Sequence, residues 1–164
     1  MALIMRVAAI QIHPETNTPV VWLKEIDGQA VLPIWIGVLE ATAIATQLEQ
    51  VAFPRPMTHD LLRNVLVALG ATVTQIEITE LRDNTFYALI DLVTAGGRRL
   101  RVDARPSDAI ALALRCQVPI LVDEGVPAAL GADKAEADEA GEGDDKRWRE
   151  LLAKLPPDFG KYKM

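Results

Sequence analysis

Apolar positions in this chain change their period several times, and each change marks an element. Over residues 5–12 they are β-branched and partly alternating, which predicts a strand. Residues 13–19 are rich in turn formers and read as a loop. Residues 20–25 form a second strand, Asp27-Gly28 signals a tight turn whose glycine takes positive φ, and residues 30–36 return as a third strand. That strand puts Leu32, Ile34 and Ile36 on one face and Trp35 on the other. The Trp35 face is therefore expected to be covered too, with another subunit as one candidate.

The period then becomes helical. Residues 38–50 form an alanine-rich helix suited to close approach to a sheet. Residues 52–56 interrupt it, Thr58 caps a second helix over 59–69, and Gly70 ends that helix. Leu61, Leu62, Val65, Leu66 and Leu69 recur at helical spacing as its core face. Strands follow over 71–81, 85–93 and 98–103, joined by turns at 82–84 and 95–97. A helix over 106–115, a short strand over 118–123 and a helical turn over 126–130 complete the pattern.

Residues 18–41 can be laid over 85–109, each unit reading strand, hairpin, strand and helix with an acid-alanine pair in the helix's first turn. The expected class is α+β, with mixed or antiparallel sheets, packed helices and this internal duplication. Residues 1–130 form the domain. Residues 131–145 read as an acidic flexible linker, and 146–164 as a short helix with a docking tail anchored by Trp148, Leu151, Leu152, Phe159 and Tyr162.

Composition adds limits. The 164 residues carry a formal net charge of −6, which argues against non-specific nucleic-acid binding, although much of the acid lies in the linker. The lone cysteine, Cys116, forbids an intrachain disulfide and fits a reducing compartment. With two histidines beside it, a Cys/His zinc site is not expected. No apolar run is long enough to cross a membrane and no signal peptide is read, so the expected location is cytoplasmic.

Candidate chemistry lies at two corners of similar grammar. Asp103-Ala104-Arg105-Pro106-Ser107-Asp108 joins a strand to an apolar helix, and Arg55-Pro56-Met57-Thr58-His59-Asp60 opens another helix. Ser107 and Asp108 suit a capped helix start. Capping does not account for Asp103 and Arg105.

These stretches, with Leu32-Pro33-Ile34-Trp35-Ile36-Gly37, Glu40-Ala41 and Asn84-Thr85-Phe86-Tyr87-Ala88, resemble the bifunctional nuclease family over residues 5–130. The resemblance implies hydrolysis of phosphodiester bonds in DNA and RNA. It brings no catalytic residues with it, so the site is argued from chemistry. Hydrolysis needs an activated water, charge stabilisation at phosphate and a proton for the leaving oxygen. His59, Asp60, Asp103 and Asp108 are the catalytic candidates. Arg55 and Arg105 could grip phosphate bidentately, and Thr58 and Ser107 could donate to it at helix N-termini. Glu40 and Asp108 are candidate ligands for a divalent metal, whose requirement stays open. The other reading is a non-catalytic oligomeric binding or regulatory module, with the Arg-Pro corners as structural locks. A homo-oligomer is expected under both.

Overall fold

The computed structural model describes residues 1–130. The linker expected over 131–145 and the helix and tail expected over 146–164 lie outside the described residues. Two antiparallel meanders build most of the fold. The first runs β1 (Ala2–Ile12), β2 (Pro19–Glu25) and β3 (Val31–Trp35); the second runs β4 (Thr72–Arg82), β5 (Thr85–Val93) and β6 (Arg99–Ala104). A short strand, β7 (Ile120–Asp123), sits between them, antiparallel to β1 and parallel to β4. The result is one mixed sheet of order β3-β2-β1-β7-β4-β5-β6, and the class is α+β as expected. Each meander leads into a helix: α1 (Val38–Leu48) follows β3 and α3 (Pro106–Cys116) follows β6. The strand–hairpin–strand–helix unit thus occurs twice, its strand order mirrored across β7.

The helices pack because their shared faces are small. Ala41 and Ala45 of α1, and Ala109, Ala111 and Ala113 of α3, are buried, which lets the two helices approach each other over the sheet. Ile76, Ile78, Ile110, Leu112 and Val122 fill the space beneath without solvent exposure. Each such side chain contributes on the order of 1.5–3 kcal/mol by burial. The strand α4 follows is β7; α4 (Gly125–Leu130) adds Val126 to this core.

Several local expectations change. The second helix, α2 (Thr58–Ala68), buries none of its residues. Leu61, Leu62, Val65 and Leu69 face solvent, and of the expected core stripe Leu66 alone packs against the core. Helical spacing is a property of the helix and does not say whether a partner covers it. Met57, not Thr58, is the N-cap; its backbone N–H donates to Asp60 Oδ2 at 3.1 Å. Gly70 does end α2 at φ 72°, and Asp83 and Asn84 take φ 51° and 57° in the β4–β5 turn. Gly28 does not have positive φ; a side chain there would collide with the Glu25 carboxylate, which accepts from Ala30 N–H across the turn. The second face of the first meander is buried over Val20, Trp22 and Val31, yet Trp35 at its end is 54% exposed.

Candidate functional site

Three helices begin at one place. Glu40 lies in the first turn of α1, His59 in the first turn of α2 and Asp108 in the first turn of α3. Arg105, the N-cap residue of α3, joins them. Its Nη1 donates to Glu40 Oε1 at 3.1 Å and its Nε to Asp108 Oδ2 at 2.9 Å. The other oxygen of Asp108 meets His59 Nε2 at 2.9 Å. One continuous chain of polar contacts therefore runs Glu40–Arg105–Asp108–His59 across three helix N-termini.

Local sequence explains why α3 starts here. Pro106 takes the first helical position, where a missing N–H costs nothing. A cation at the N-cap opposes the helix dipole, so Arg105 needs the carboxylates of Asp108 and Glu40 beside it. Burial, the largest single influence, pushes the Asp108 carboxyl up, but the hydrogen bonds and charges of Arg105 and His59 together outweigh it and hold it below the ordinary range. The Asp108 hydrogen bond is also the main reason the Arg105 guanidinium holds its proton more tightly than usual. An ionised Asp108 can only accept, so His59 donates from Nε2. In the neutral ring the lone pair then sits on Nδ1.

Arg105 and Glu40 line two clefts at once. One, of about 400 Å³, also has Trp35, Phe86, Thr85 and Ser107 in its wall. The other, of about 320 Å³, is lined further by His59, Asp108, Thr58 and Phe53. The clefts meet at the Arg105–Glu40 pair.

The remaining expected residues are placed differently. Asp60 accepts from Arg115 Nε at 2.8 Å. Arg115 was not singled out in the sequence, although its side chain is 3% exposed and also donates to the carbonyls of Ala111 and Ala43 at 2.9 Å. Ser107, Ala111 and Arg115 recur every fourth residue on one stripe of α3, and a charge on a stripe of small residues was the available signal. Ser107 is buried in the floor of the first cleft. Thr58 is exposed. Arg55 and Asp103 are also exposed, and their side chains make no hydrogen bond or ion pair among the described residues. The hydrogen bond between the two Arg-Pro corners runs through His59 and Asp108 and not through Arg55.

Glu40 and Asp108, the carboxylates expected to hold a metal, both bind the Arg105 guanidinium. No group of three His, Cys, Asp or Glu residues converges among the described residues. This donor set does not fit a resident divalent ion.

Residues 21–134 match the family described as the bifunctional nuclease domain. An uncharacterized protein of Mycobacterium tuberculosis is 41% identical over 160 residues, which cover 94% of this chain and 95% of the relative. Bifunctional nuclease 1 of Oryza sativa subsp. indica is 30% identical over 107 residues, 63% of this chain and 32% of the plant protein. Bifunctional nuclease 1 of Arabidopsis thaliana is 28% identical over 109 residues, 65% of this chain and 34% of the relative.

Proposed function

Because the chain belongs to the bifunctional nuclease domain family, we propose that it hydrolyses phosphodiester bonds of DNA and RNA at the Arg105–Asp108–His59 chain. The observation that carries this reading is the meeting of three helix N-termini around one arginine. Each N-terminus presents free backbone N–H groups and the positive end of a dipole, so their junction favours an anion. Arg105 keeps guanidinium protons beyond the two it gives to Glu40 and Asp108, and these are donors for a phosphate oxygen.

His59 is the general base in this reading. Its Nδ1 takes a proton from water as the water oxygen bonds to phosphorus and the bond to the leaving oxygen breaks. The ionised Asp108 steadies the imidazolium that results, and the same proton can pass to the leaving oxygen. Glu40 orients Arg105. Thr58 and Ser107 are donors at the cleft walls, and the exposed Arg55 adds charge for the strand backbone. Asp60 serves the fold through Arg115 instead of the reaction, and Asp103 is outside this mechanism. The exposed leucines and valines of α2 support the homo-oligomer expected from the sequence. Among the described residues, no helix is long and apolar enough to cross a membrane; the single cysteine supports a cytoplasmic location.

One observation favours the non-catalytic alternative. Both arginines that line the clefts, Arg105 and Arg115, are already paired with carboxylates. Cleavage of single-stranded DNA and of RNA by purified protein separates the readings. The wild type should cleave and Asp108→Asn, purified identically, should be slower by roughly 10²–10⁴ while melting within a few degrees of wild type. A lane with chelator decides whether a divalent ion is required. Equal cleavage by both proteins would move the activity away from this site, and cleavage by neither would leave the binding-module reading.

A further inference from the structure

The 400 Å³ cleft beside Arg105 has a lining that phosphate chemistry does not use. Trp35 stands at the end of edge strand β3, on a face otherwise buried, and is 54% exposed. Phe86 lines the same cleft, with the polar side chains of Thr18, Asn84 and Thr85. The cleft volume falls within the range of ~300–1,000 Å³ typical of ligand sites. An aromatic face left open to water beside hydrogen-bonding groups is the combination that binds a flat, polar-edged ring. Arg105 and the first residues of α3 line the same cleft, so a ring held there has a cation and a helix N-terminus beside it.

We propose that this cleft is a base-binding subsite, in which one unpaired nucleobase stacks on Trp35 while an adjoining phosphate of its strand faces Arg105. The proposal rests on the nuclease reading for the position of the phosphate. It adds that the substrate must present a base outside a duplex, because a paired base keeps both faces covered by its neighbours. Stacking on an aromatic ring accepts any base, since every base has a π-face. Trp35 therefore gives affinity for single strands without sequence choice. Thr18, Asn84 and Thr85 are the groups within the cleft that can meet the edge of the base.

Binding is measured by fluorescence anisotropy with the full chain. The probes are an end-labelled oligothymidine with a phosphorothioate backbone, which resists hydrolysis, and an abasic strand of the same length and backbone. Trp35→Ala should weaken oligothymidine binding roughly ten- to hundredfold. Trp35→Phe, which keeps an aromatic face, should lose much less. The abasic strand should bind all three proteins alike. Wild-type affinity for oligothymidine in Trp35→Ala, or no binding by the wild type, overturns the proposal. So does an equal loss on both strands with a change of mass by light scattering, which assigns Trp35 to a subunit interface. Cleavage of the unmodified strands is followed in parallel. Trp35-dependent binding without cleavage keeps the subsite and removes the hydrolytic reading; cleavage with an unchanged KM in Trp35→Ala does the reverse.

Discussion

Arg105 and Arg115 occupy opposite ends of α3, and each gathers groups from neighbouring helices. The Arg115 side chain is 3% exposed and each of its three guanidinium nitrogens donates: to Asp60 of α2, the Ala43 carbonyl of α1 and the Ala111 carbonyl of its own helix. The Arg105 side chain is 66% exposed and meets two carboxylates, with donors left over. At Arg115 the cation sits at the negative end of the helix dipole, where it is favoured; at Arg105 it sits at the positive end, where only added carboxylates hold it. The buried arginine fixes how three helices cross. The exposed one is kept at a cleft by charges that give the fold little in return, as expected of a group held for its chemistry.

The largest effect is expected at Arg115. Arg115→Ala leaves the partly buried Asp60 without its cation and removes two further hydrogen bonds between helices and within α3, and should cost about 3–5 kcal/mol. By thermal melting this is a fall of roughly 10 °C for a domain of this size. Arg115→Lys should recover little of it, because a single ammonium cannot reach three acceptors set for a planar fork. A melting temperature near wild type in both variants would remove Arg115 as the pin of the three helices.

Arg105→Ala should lie at the other extreme. Its ion pairs are open to water, so the discounted stability loss is about 1 kcal/mol or less by urea titration. Cleavage should fall by roughly 10²-fold or more, since an electrostatic donor at the phosphate is lost. A destabilisation matching that of Arg115→Ala would make both arginines structural and favour the non-catalytic reading.

The smallest effect is one of pH. The folded Asp108 carboxyl lies below its ordinary value of 3.8, so its pairing stabilises the fold at pH values above 3.8. That contribution fades as pH falls from 3.8 through the lower folded value. The stability gap between wild type and Asp108→Asn in urea should therefore be constant above about pH 5 and shrink below the ordinary carboxylate value. A gap that widens on acidification would mean that Asp108 is not held ionised by Arg105 and His59.

Much of this was legible in the chain. Hydrophobic period marked every strand and helix over 1–130, because the backbone geometry of an element imposes its spacing on any apolar face it presents. The acid-alanine pairs after each hairpin located the repeated helix starts, and Glu40, His59, Arg105 and Asp108 were all candidates on residue type alone. Pairing was less accessible. Asp60 and Asp108 each follow an Arg-Pro step, yet one serves Arg115 from 55 residues away and the other serves Arg105 from three.

The sequence alone carries the elements, their order, the start of α3 at Pro106 and the family to which the fold belongs. These depend on contacts within a few residues or on motifs kept in order. The side-chain cap read for Ser107 and Asp108 is absent: Arg105 is the N-cap, and Asp108 turns to Arg105 and His59. The tertiary structure decided that three helix N-termini share one arginine, that the leucines of α2 face water and that Trp35 stays open while its neighbours are buried. Each is set by how far apart elements stand after the sheet has closed around β7. That distance depends on the packing of small residues between α1 and α3, which no local periodicity records.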